Sequence, residues 1–289
     1  MKKTNIHLSA LTALMVTAGG AFAAGPAPEV TNYDFAHDGP FGSYDQAQLQ
    51  RGLQVYTEVC AACHGLQYVP IRSLGDDGGP GLPGDQVRAY AEFYEIWDPT
   101  LEDGFGDFRP ATPNDHFPMS QLEGAPDLSL MAKARAGFSG PYQLGINQLL
   151  YGMGGPEYIA SLLTGYADPP SCAPDDFDGT YNAVFTAGGY PEQCYDENGE
   201  RKYPGSWIGM TQPLWGDDVL YADDTEATIE QQAVDVASFL MWAAEPGLNA
   251  RKQAGFTGVV MLSVLAVLLY LTNKRLWAPI KGKGRQEEA

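Results

Sequence analysis

Two thiols and an imidazole stand together in Cys60-Ala61-Ala62-Cys63-His64. A C-x-x-C-H run is the attachment pattern of a c-type haem: the thiols capture two vinyl groups of one porphyrin, and the adjacent histidine becomes the proximal ligand of the iron. Two other uses of C-x-x-C fit less well. A thioredoxin-like dithiol would follow a β-α-β pattern, and none precedes Cys60. A structural zinc site would need further ligands at regular spacing. Cys60, Cys63 and His64 are therefore expected to hold one covalent haem c, and electron transfer is the chemistry that follows.

The sixth position of such an iron takes a thioether or a second nitrogen donor, and methionine is the usual choice where a high potential is needed. Beyond the leader, histidine is limited to His37, His64 and His116. The methionine candidates are Met119, Met131, Met153, Met210 and Met241. Met131 and Met241 fall within helical patterns and read as core. Met153, in Tyr-Gly-Met-Gly-Gly, and Met210, between Trp207-Ile208-Gly209 and Thr211-Gln212-Pro213, both lie in loops that could present sulfur. The pattern favours Met210 without excluding Met153. The remaining thiols, Cys172 and Cys194, belong to no haem motif. In an exported chain a disulfide between them is the economical expectation, stabilising the loop by roughly 3–4 kcal/mol in the chain-entropy treatment.

The haem loop needs a helix to deliver it. Ser43 with Gln46 resembles a capping box, and Leu49, Leu53 and Tyr56 share one face of a helix running to about Cys60. Further helices are expected over 83–96, from an Asp127 cap to Ala136, over 142–151 and over 156–164. A last soluble helix carries Ile229, Ala233, Val236 and Leu240 on one face and stops at Pro246-Gly247. The Gly- and Pro-rich stretches 75–84, 98–126 and 165–210 read as loops, with a short strand near 181–185. The expected fold class is mainly α, with long irregular excursions around a porphyrin.

Both termini carry targeting information. Residues 1–23 read as a cleaved signal peptide, with Lys2 and Lys3, an apolar run and Ala21-Phe22-Ala23. The uncharged stretch 254–273 is long enough to cross a bilayer. A basic tail, 274–289, follows it and argues for a cytoplasmic C-terminus. That leaves 24–253 as a periplasmic haem domain anchored in the bacterial inner membrane. The net formal charge is −19. Of 17 Lys and Arg, two lie in the signal and five beyond Gln253, so the haem domain holds ten against 34 Asp and Glu. Such a surface repels nucleic acid and attracts a basic protein.

Longer motifs extend the reading. Val59-Cys60-Ala61-Ala62-Cys63-His64, Pro126-Asp127-Leu128-Ser129, Ala134-Arg135, Tyr158 through Tyr166, Ile208-Gly209-Met210 with Pro213-Leu214, and Asp235 through Pro246 together resemble the cytochrome c1 family of the cytochrome bc1 complex. The resemblance spans nearly the whole exported chain and the anchor. It implies a class I c-type cytochrome fold with one C-terminal transmembrane helix. It implies that Met210 is the second axial ligand, that Arg135 lies near a haem propionate, and that Pro126, Tyr158 and Leu162 line the haem pocket. It further implies an electron-transfer subunit of a quinol:cytochrome-c reductase, with no acid, base or nucleophile of its own. The Rieske iron–sulfur protein would donate electrons and a basic cytochrome c would accept them. Cytochrome b and membrane lipid would be neighbours in a dimeric complex. Known bacterial members have a disulfide that resembles a brace for the methionine. Asp217, Asp218, Asp223 and Asp224 are candidate docking carboxylates. The competing function is a membrane-anchored cytochrome c acting as an independent carrier to an oxidase.

Overall fold

A computed structural model describes residues 29–135, 146–151 and 154–284. The signal peptide and Met153, the rival ligand, lie outside the described residues. The first helix, α1 (Gln46–Val55), is capped by Asp45, whose side chain accepts the Gln48 N–H. Asp45 thus does the work expected of Ser43: an Asx side chain one residue from the first turn satisfies an otherwise free N–H. Leu49, Leu53 and Tyr56 are buried as their spacing predicts. The helix does not run unchanged to Cys60. Tyr56–Cys60 forms a π-type turn, and the Ala61 N–H reaches back to the Tyr56 carbonyl at 2.8 Å.

Downstream, α2 (Gly84–Ala91) is shorter than the expected 83–96. The chain turns after Glu92 and enters β1 (Glu95–Asp98), which pairs antiparallel with β2 (Asp107–Pro110). The stretch 98–126 therefore contains regular structure that its Gly, Pro and acidic content conceals. Trp97 opposite Phe108 and the Arg109 ion pairs to Asp98 and Asp115 hold this hairpin together. Asp127 does not cap the next helix. Its carboxylate accepts N–H groups from Gln67 and Ser129, and α3 (Met131–Ala134) begins after Leu130. Then come α4 (Ile146–Tyr151), α5 (Gly155–Thr164), β3 (Thr180–Asn182), β4 (Ser206–Ile208), α6 (Ile229–Ala244) and α7 (Leu248–Gly284).

The described chain divides into two compact units. One comprises Val30–Tyr166 and resumes at Met210; the other is Ala167–Gly209. The first is organised on α6, against which α1, α3 and α5 pack. α6 is capped by Thr228 and buries Val236, Phe239, Leu240, Met241 and Trp242. Gly52 permits the α1–α6 crossing: a Cβ there would lie 2.1 Å from the Asp235 carbonyl oxygen. Arg51 seals the same crossing through the fully buried carboxylate of Asp235 at 2.9 Å. In the second unit β3 pairs antiparallel with β4, Phe177, Tyr181 and Tyr190 surround Trp207, and Cys172 is bonded to Cys194.

Among the described residues, α7 alone is long and apolar enough over Leu248–Ile280 to cross a membrane. Val259, Leu262, Leu265 and Leu269 stand exposed along it. A continuous apolar surface of this length is not stable in water, and lipid is its natural solvent.

Candidate functional site

The C-x-x-C-H run begins where the helix loosens. A single π-turn adds one residue to the backbone circuit and commonly marks functional positions. Here it ends on Cys60, whose carbonyl accepts the Cys63 N–H at 3.1 Å and the His64 N–H at 2.9 Å. The pentapeptide is thus one tight turn carrying both thiols and the imidazole. Both cysteines are unpaired and half-buried, unlike Cys172 and Cys194. Burial, with the neighbouring Cys63 sulfur, pushes the Cys60 thiol up to about 12. A dithiol redox centre works through a stabilised thiolate; this environment disfavours one.

The imidazole is held from one side. His64 Nδ1 lies 2.7 Å from the Pro126 carbonyl oxygen. A carbonyl can only accept, so in the neutral ring Nδ1 is the protonated nitrogen and Nε2 the one with the lone pair. That is the tautomer an iron ligand requires, fixed by the second-shell contact that metal-binding histidines commonly make. Two segments secure the turn. Pro118–Leu122 bonds it through Leu66 N–H to Pro118 O and Gln121 N–H to Cys63 O, and Gly65 N–H donates to the Ser120 hydroxyl. On the other side Leu128 N–H donates to Gly65 O. Gly65 is required by this squeeze: a Cβ would approach the backbone at 118–120 to 2.4 Å. Tyr56, buried in the π-turn, donates its hydroxyl to the His64 carbonyl at 3.0 Å. Tyr56 is legible in the sequence as packing, not as a clamp on the His64 backbone.

The other expected pocket residues come from three elements. Arg135 is exposed at the end of α3, close enough to Tyr158 for its charge to act on that phenol. Tyr158 and Leu162 are one turn apart on α5 and half-buried, whereas Ile159, Ala160 and Leu163 are buried. One stripe of α5 is therefore left open beside a closed one. Met210 is half-buried against the core together with Cys60, Leu128 and Met131, and its carbonyl accepts the Tyr166 hydroxyl at 3.1 Å. Met241 is fully buried in α6, as its helical spacing implies, and Met119 is largely exposed. Two of the four acidic residues after the methionine have local duties. Asp223 pairs with Arg51, and Asp218 accepts N–H groups from Trp215 and Gly216.

These residues suit a porphyrin: two reduced thiols and an imidazole on one turn, with half-buried side chains on α5 and Met210 partly buried on the same core as Cys60. Turn, helical frame and exposed apolar helix define a membrane-tethered c-type cytochrome. Comparison with known proteins agrees. The Cytochrome C1 family profile matches residues 35–280. The chain is 58% identical to cytochrome c1 of Cereibacter sphaeroides over 283 residues, covering 96% of this chain and 97% of that protein. It is 52% identical to cytochrome c1 of Rhodobacter capsulatus over 284 residues, 98% of this chain and 99% of that one. A protein of Bradyrhizobium diazoefficiens named cytochrome b/c1 is 38% identical over 263 residues, 87% of this chain and 36% of the longer protein.

The chain belongs to the cytochrome c1 family. It is accordingly an electron-transfer subunit of the cytochrome bc1 complex and carries one covalently bound haem c.

Proposed function

We propose that Cys60 and Cys63 form the two thioether bonds, and that His64 and Met210 are the axial ligands. When bound, the haem supplies a one-electron ferric/ferrous couple. The chain's own residues set the conditions for it. Pro126 fixes the His64 tautomer through its carbonyl, and Tyr56 anchors the same residue's backbone. A thioether from Met210 favours the reduced metal and raises the potential. Arg135, whose charge reaches Tyr158, offers a guanidinium fork that can pair with a haem propionate. Pro126, Tyr158 and Leu162 line the pocket, Tyr158 and Leu162 through the open stripe of α5. The subunit contributes an electron relay to a quinol:cytochrome-c reductase.

The Rieske iron–sulfur protein delivers electrons and a basic cytochrome c accepts them, drawn by the acidic surface of the haem domain. The name cytochrome b/c1 of the Bradyrhizobium relative supports cytochrome b as a neighbour. Residues 1–23 are removed on export, 254–273 cross the inner membrane, 274–289 remain cytoplasmic, and 24–253 lie in the periplasm of a dimeric complex. The observation that carries this reading is the His64–Pro126 contact within a single C-x-x-C-H turn. Its test is isolation of the complex from membranes. Haem colour retained on this subunit after denaturing electrophoresis, with a di-haem cytochrome b and a Rieske protein co-purifying, is the expected result. Isolation as a free monomer would instead establish an independent carrier.

A further inference from the structure

Tyr166 and Met210 face each other across a hydrogen bond between residues 44 apart in sequence. Tyr166 is the last residue of the first unit before the excursion Ala167–Gly209, and Met210 is the first residue after it. The phenol thus bridges the two points at which the chain leaves the haem-bearing unit and re-enters it. Both ends are independently fixed within that unit. On one side α5 ends at Thr164, with the Gly165 N–H donating to Leu162 O at 3.3 Å, and packs on α6. On the other, Leu214 is buried four residues beyond Met210, and the Gln212 side chain donates to the Leu214 carbonyl at 2.8 Å.

We infer that Tyr166 is a positioning residue for the methionine ligand: its hydroxyl holds the Met210 backbone and isolates the ligand from motion of the 43-residue excursion that precedes it. The inference rests on the assignment of Met210 as a ligand and adds a role that the ligand set itself does not contain. The physical reason is loop entropy. Closing the excursion at its neck fixes the spacing of its two ends, and the entropic cost of that closure grows only slowly with the length of chain between them. The bond goes to the Met210 carbonyl, leaving the sulfur to its own partner. Cys172–Cys194 lies inside the excursion and steadies that unit; the Tyr166 bond acts at its neck. α5 consequently has two duties: Tyr158 and Leu162 present side chains from its open stripe, and Tyr166 fixes a backbone just past its end.

The test uses the full complex carrying Tyr166→Phe, which keeps the ring and deletes the hydroxyl. Carbon monoxide capture by the reduced protein and the sulfur-to-iron charge-transfer absorbance of the oxidised protein report whether the thioether stays bound. Loss of one neutral hydrogen bond should raise the population lacking that ligand about fivefold, seen as faster carbon monoxide capture and weaker charge-transfer absorbance. Tyr33→Phe is the control. That phenol also bonds the end of α5, through the Thr164 hydroxyl at 3.2 Å, with no link to Met210. It should alter stability without altering either signal. Met210→Leu separates the two assignments. If it changes both signals and Tyr166→Phe changes neither, the positioning role is overturned while the ligand stands. If Met210→Leu changes neither, the ligand assignment itself fails. Equal effects of Tyr33→Phe and Tyr166→Phe would also overturn the inference, since general loosening of α5 would then suffice.

Discussion

Replacing Gly52 with alanine should separate the two helices that frame the haem turn. The new Cβ would fall 2.1 Å from the Asp235 carbonyl oxygen and 2.7 Å from the Phe239 Cβ. Both obstacles belong to the backbone or its first carbon, so no rotamer change relieves them. α1 and α6 would have to part by about 1 Å to restore ordinary contact, and a gap of that size forfeits a quarter to a half of the dispersion energy along the crossing. Against this, alanine gains up to about 1 kcal/mol of intrinsic helix preference over glycine. Overpacking of this kind costs typically 1–3 kcal/mol, and a backbone obstacle belongs at the upper end. A net loss of about 2 kcal/mol would lower the melting temperature by roughly 4–8 °C in a domain of this size. The assay is thermal unfolding of the detergent-solubilised complex, followed by loss of the haem band of this subunit. Gly84→Ala is the control, since nothing lies within 4 Å of its Cβ position at the start of α2. It should be neutral or stabilising. Gly52→Ala melting at or above the wild-type temperature would refute the close-crossing argument.

Other outcomes follow from individual environments. His37 is buried between Phe35 and Tyr44 with neither ring nitrogen hydrogen-bonded, and burial, with the Lys252 charge second, lowers its pKa from 6.5 to about 4. The unfolded chain therefore binds the proton first, and stability is lost as pH falls from 6.5 toward 4, by roughly 3 kcal/mol in all; His37→Phe should abolish that limb of the stability–pH curve in acid titration. Arg51→Ala leaves the buried Asp235 carboxylate unpaired and should cost about 3–5 kcal/mol in chemical denaturation, while Arg51→Met with Asp235→Leu should recover most of it. Cys172→Ser with Cys194→Ser opens a loop of sequence separation 22 and should weaken the excursion by about 3 kcal/mol, measured as faster limited proteolysis within 167–209.

The haem turn was legible because its chemistry is written in consecutive residues, and α6 because its apolar spacing continues for four turns. The short helices were harder. α3 has only four residues, and Asp127 spends its carboxylate on Gln67 and Ser129, where the sequence suggested a helix cap. The β1–β2 hairpin was hidden because its aromatic residues remain exposed and its turn is rich in acidic residues and glycine, so no inward-facing alternation marks it. Local capping also shifts the start of α1: the spacing of Ser43 and Gln46 suggests a capping box, but Asp45 takes the N-cap position in the folded chain. At the site, the residue types of Tyr56 and Tyr166 gave no sign of their task. Each acts through a hydroxyl on a backbone carbonyl that only the folded chain brings near. Loop context and bulky neighbours favour Met210 without excluding Met153, and the resemblance to the cytochrome c1 family is what implies Met210, because a ligand pair drawn from segments nearly a hundred and fifty residues apart would leave no periodic trace.

Whether one covalent haem sits between His64 and Met210 is decided by a potentiometric titration of the isolated complex carrying Met210→Leu. Loss of the thioether should lower the midpoint potential of this subunit sharply and open the iron to carbon monoxide. A midpoint unchanged from wild type, with the iron still closed to carbon monoxide, would contradict the assignment.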